Sequence, residues 1–161
     1  MALATMPCGN AAKEGVSMGG LKELTKFMGG SQIVGSPRSD FDFIRVIRGG
    51  LPANVIACVA ASSSLTEDEI LRALRIAKRT AARRKSKASR LKAVESELIY
   101  RLSKVMVAAT DVLGNRDKAR AWLLAGNRAL DGERPIDLLD TSIGFEDVLD
   151  VLRRIDHGVY S

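Results

Sequence analysis

Histidine occurs once, at position 157, and cysteine twice, at positions 8 and 58. A single imidazole excludes a zinc site built on several histidines, and any mechanism that needs two of them. Two distant cysteines with no C-x-x-C exclude a disulfide framework and a cysteine-based zinc centre. Aromatic residues are only 4% of the chain. The core must therefore be built from Leu, Ile, Val, Ala and Met, and a stacking platform for single-stranded nucleic acid is disfavoured. No apolar run approaches the ~20 residues that span a bilayer. The opening stretch MALATMPCGNAA has no basic start and is broken by Pro7 and Gly9, unlike a secretory signal. Unpaired cysteines suit a reducing compartment, so the expected location is the cytoplasm, away from any membrane. Catalytic signatures are also missing. There is no G-x-S-x-G, and the glycines at 29–35 lack the Lys-Ser or Lys-Thr of a phosphate-binding loop. Asp147 and Asp150 read as a solvated acidic face, and His157 as a residue at a helix end. No enzyme, catalytic residue, cofactor, metal site or small-molecule substrate is expected.

What the chain does have is 161 residues, enough for a real core without staples, and an uneven charge. The net charge is +6. Residues 61–110 carry net +7 and residues 111–161 carry net −3. Between Arg72 and Lys92 there are ten basic residues and no acidic one. A basic middle beside an acidic C-terminal third suggests two modules with different partners.

The apolar spacing is helical throughout, and the expected fold class is all-α. Residues 1–40 contain seven glycines, costly in backbone entropy, and read as a flexible Gly-rich leader outside any core. Helical patterns follow from Asp40 to the Gly49-Gly50 stop, and from Pro52 to the Ser62–Ser64 run. A third starts at Ser64 or Thr66, with Glu67, Asp68 and Glu69 in its first turn. Around residues 76–78 two structures are open. One is a tight turn into a second short helix over 79–85, the outline of a helix-turn-helix. The other is a continuous helix over 66–86, because no glycine marks the turn. Residues 91–113 read as one long helix. Its stripe of Leu91, Val94, Leu98, Leu102, Val105, Ala109 and Val112 serves either the core or a dimer seam. Later helices cover 116–125, a short segment from Pro135, and a last helix capped by Asp140 or Thr141 that ends at Gly158. Trp122 is expected to anchor the core.

The basic run is the candidate nucleic-acid surface, because phosphate contacts need cations gathered on one face. Its candidate contact residues are Arg75, Lys78, Arg79, Thr80, Arg83, Arg84 and Lys85.

The residues from Gly114 onward carry a resemblance. They read A-R-A-W-L at 119–123, N-R-A-L-D-G-E-R-P-I-D-L-L-D-T at 127–141 and G-F-E-D-V-L-D-V-L-R-R-I-D-H-G-V-Y at 144–160. This order resembles the toxin-binding domain of the MbcA/ParS/Xre antitoxins. G-L-P at 50–52, I-A-K-R-T-A-A-R-R at 76–84 and E-S-E at 95–97 are similar to that family's Xre-like helix-turn-helix. Two positions depart from the pattern: Gly126 stands where the family usually has proline, and Asp131 where it often has glycine. The resemblance implies a helix-turn-helix domain over 41–90, then a long connecting or dimerisation helix and a small helical toxin-binding domain over 91–161. It implies an antitoxin whose partner is a RES-domain toxin that degrades NAD, and a homodimer that represses its own operon on operator DNA. It further implies that the last helix and tail occlude the toxin's active site through Arg153, Arg154, His157, Gly158, Val159, Tyr160 and Ser161. The alternative is a stand-alone dimeric helix-turn-helix regulator without a toxin.

Overall fold

The computed structural model describes residues 20–158, and all of its regular elements are helical. The domain starts earlier than the sequence suggests. Helices α1 (Leu21–Phe27) and α2 (Ser31–Val34) lie within the stretch read as a leader. They bury Leu24, Met28 and Val34 in the same core as the rest of the chain. The leader expectation therefore fails for residues 20–40, and residues 1–19 lie outside the described residues. Among the glycines there, Gly29 serves close packing: a Cβ on it would stand 2.8 Å from Cys58 Sγ, at a backbone φ of +103°.

The helix-turn-helix follows. Helix α3 (Asp40–Gly49) is capped by Ser39, whose hydroxyl accepts the Asp42 N–H at 3.2 Å. Helix α4 (Val55–Ser63) buries Val55, Ile56 and Val59. Helix α5 (Glu67–Ala73) opens with a reciprocal cap. The Thr66 hydroxyl accepts from Glu69 N–H at 3.1 Å, and Glu69 accepts from Thr66 N–H at 2.8 Å. Helix α6 (Lys78–Ser86) is separate from α5, so the broken helix is the correct choice of the two.

The break has a specific cause. Arg75 sits at φ +54°, a conformation usually left to glycine. Around it, Ile76 N–H donates to Leu71 O at 2.8 Å and Arg75 N–H to Arg72 O at 3.1 Å. That pair of bonds is a Schellman stop. Its apolar contact is supplied by Leu71 and Ile76, both buried. A second such stop ends α6, with Ala88 at φ +47° and Ser89 N–H bonded to Arg84 O at 3.0 Å.

Helix α7 (Ala93–Leu113) is the axis of the molecule. It packs against α1, α3 and α4, and also against α8 (Arg116–Leu124) and α9 (Ser142–Asp156). Leu102, Val105 and Ala109 of its apolar stripe are fully enclosed by these neighbours, whereas Val94 is 71% exposed. The stripe is thus used as core along most of its length. The loop between α8 and α9 contains the 3-10 turns Arg128–Leu130 and Pro135–Leu138. Asp131, at φ +57°, takes the left-handed position there, which Asp tolerates better than most residues. Thr141 caps α9 by accepting the Gly144 N–H at 3.0 Å. Gly158, at φ +67°, follows its last turn as expected. No described helix is long and apolar enough to cross a membrane.

Candidate functional site

Helix α6 presents the basic residues, but most of them are not free. Lys78 is ion-paired with Asp68, and Lys85 lies 2.9 Å from Glu67. Both acids stand in the first turn of α5, so the sequence's acid-free run borrows counter-ions from the helix before it. The Lys78 hydrogen bond is the main reason that the Asp68 carboxyl is held below its usual range. For Glu69 the main cause is the Thr66 N–H, with Arg120 assisting. Both groups favour the folded state above the ordinary carboxylate range, and that contribution disappears as pH falls through their lowered values.

Arg84 stands apart. Its side chain is 12% exposed and pairs with Glu95 of α7, itself 16% exposed. Glu95 also accepts the Lys92 N–H at 2.7 Å, closing the start of α7. Arg84 is therefore a tie between α6 and α7, away from the exposed face of α6. Arg75 pairs with Asp140, at 3.1 Å, across to the segment before α9. That leaves Arg79 and Arg83, exposed, one turn apart on the outer side of α6, and in no ion pair among the described residues. Thr80 is half-buried between them.

The second site is a cleft of about 820 Å³ at the C-terminal end of α9. Arg153, Arg154 and His157 line it, as do Leu113, Trp122, Val151 and Ile155, together with residues 126–129. Three of the residues assigned to toxin binding are thus brought together. Gly158 follows directly, and Val159, Tyr160 and Ser161 lie outside the described residues. Arg153 is ion-paired with Asp150. Arg128 and Arg154 are exposed and in no ion pair among the described residues. Trp122 is half-buried in this wall, so it is a cleft residue packed on the core's edge and not the central anchor expected. The sequence reading missed the apolar floor because α7, α8 and α9 each contribute one or two residues to it. No group of His, Cys, Asp and Glu among the described residues is arranged to hold a metal ion.

The two sites coincide with two known domain families. Residues 42–104 match the antitoxin Xre-like helix-turn-helix domain, and residues 108–158 match the C-terminal toxin-binding domain of Xre/MbcA/ParS antitoxins. The boundary between the matches falls inside α7, later than the boundary at residue 90 drawn from sequence. A protein named Antitoxin Xre from Yersinia enterocolitica is 36% identical over 116 residues, covering 71% of this chain and 78% of that protein. Another of that name, from Photorhabdus laumondii, is 34% identical over 130 residues, covering 80% of this chain and 88% of its own length. With both domains in the family's order and relatives this similar over most of their length, the chain belongs to the Xre/MbcA/ParS family of antitoxins from toxin-antitoxin systems.

Proposed function

We propose that this antitoxin neutralises a RES-domain toxin that degrades NAD, by inserting the end of α9 and the tail Val159–Ser161 into the toxin's active site. The observation that carries the reading is the convergence of Arg153, Arg154 and His157 on one apolar-floored cleft beside the start of that tail. Exposed guanidinium groups such as Arg154 can pair with an acidic group in a partner's cleft. Apolar surface flanked by charge is the usual make-up of a protein-binding site. Deleting Val159–Ser161 is expected to abolish protection of cells that express the toxin, while thermal stability and DNA binding stay as they are. Unchanged protection by the shortened chain refutes the plug.

In the same proposal the chain works in the cytoplasm as a homodimer, with no enzymatic activity, and represses its own operon through α6. Arg79 and Arg83 then provide the main backbone contacts, with Arg75, Lys78, Thr80 and Lys85 around them. Arg79→Ala with Arg83→Ala is expected to flatten the salt dependence of DNA binding by about 0.9 log units per lost phosphate contact. The check is a fluorescence anisotropy titration over a range of salt concentrations. If affinity and slope stay at their wild-type values, α6 does not touch DNA. A stand-alone regulator shares this second behaviour but does not protect cells from a toxin.

A further inference from the structure

The ion pairs of the helix-turn-helix fall into two groups. Lys78–Asp68, Lys85–Glu67 and Arg84–Glu95 are internal to residues 42–104. Two others cross to the toxin-binding domain, namely Arg120–Glu69 at 3.1 Å and Arg75–Asp140 at 3.1 Å. Both end on α5 or on the turn after it, the part that sets the angle of α6. Arg75 occupies the turn directly before α6, at the end of that helix that approaches a groove. Its side chain is 78% exposed, whereas Asp140 is 19% exposed. The carboxylate is thus largely enclosed, while the guanidinium is accessible to any other anion.

We propose that Asp140 competes with a DNA phosphate for Arg75, so that the toxin-binding domain restrains the affinity of the helix-turn-helix for DNA. This rests on the DNA reading of α6 given above. Arg75 bonded to Asp140 is already neutralised and releases no counter-ion when DNA arrives. Free of Asp140, it adds one phosphate contact. Asp140 immediately precedes Thr141, the cap of α9. A toxin that shifts α9 on binding would therefore move the competitor as well. The exposed geometry makes this a modest restraint, in the range of other solvent-accessible ion pairs.

The test uses the full chain and a short mixed-sequence DNA duplex, because a phosphate contact does not depend on sequence. Asp140→Asn is expected to bind about threefold more tightly at low salt, with the slope of log affinity against log salt steeper by about 0.9. Arg75→Gln lies on the surface and keeps the fold, and Arg75→Gln with Asp140→Asn should behave as Arg75→Gln alone. An Asp140→Asn chain with wild-type affinity and slope overturns the proposal. So does a gain that persists when Arg75 is already Gln, since it would not pass through Arg75. The Arg79→Ala, Arg83→Ala chain run alongside separates the two failures. If its binding equals wild type, the DNA reading itself is wrong and the proposal falls with it. If its binding is weakened while Asp140→Asn changes nothing, only the competition is wrong.

Discussion

Replacing Gly144 by alanine is expected to cost about 3 kcal/mol of stability and to lower Tm by about 9 °C. Gly144 lies in the first turn of α9, where the helix meets the 3-10 turn Pro135–Leu138. A Cβ there would stand 2.3 Å from the Leu138 carbonyl oxygen and 2.9 Å from its Cβ. The colliding atom is backbone, so no side-chain rotation relieves it. The turn is itself fixed, with Ile136 and Leu139 buried in the core, so the strain falls on the entry of α9. The Thr141 cap, which accepts the Gly144 N–H, is disturbed at the same time. The far end of α9 forms the cleft with Arg153, Arg154 and His157, so protection from the toxin should fall along with stability. Thermal unfolding followed by circular dichroism checks the first effect, and co-expression with the toxin checks the second. A Gly144→Ala chain that melts with wild type would mean that α9 is free to ride away from the turn.

The second large effect is expected at Arg84. Arg84→Ala leaves the Glu95 carboxylate largely enclosed without its cation, which costs about 3 kcal/mol. Glu95→Ala should cost at least as much, because it strands Arg84 and also removes the acceptor for Lys92 N–H at the start of α7. The two losses should be strongly non-additive in a double-mutant cycle. Neither should change the salt slope of DNA binding, in contrast to Arg79 and Arg83. The pair of observables separates the arginines of α6 into one that holds the fold and two that face outward. If Arg84→Ala keeps wild-type stability but flattens the salt slope, Arg84 is a phosphate contact after all.

Much of the local structure was legible in the sequence, because it depends on neighbours three or four positions apart. Thr66 and Thr141, each one of two caps that the sequence offers, start helices where their side chains accept a nearby N–H, and Ser39 and Asn115 do the same without having been singled out. Gly50, Gly114 and Gly158 end helices where the backbone turns left-handed. The all-α class and the order of the two domains follow from that periodicity and from the family's motifs. The break between α5 and α6 was harder to see. Arg75 takes a position where glycine is the usual signal, and the strain is tolerated because Leu71 and Ile76 are buried on either side.

The sequence by itself thus determined the class, the family, most of the helices after Asp40 and the run of cations that α6 carries. The tertiary structure alone decided which cations are available. Asp68 and Glu67 of α5, Glu95 of α7 and Asp140 of the turn before α9 neutralise Lys78, Lys85, Arg84 and Arg75. It also decided that Leu24, Met28 and Val34 join the core and that Trp122 stands in a cleft wall. The physical reason is the same in each case. Ion pairing and burial depend on distance in space, and residues far apart in the chain meet only after α7 has gathered the other helices around it.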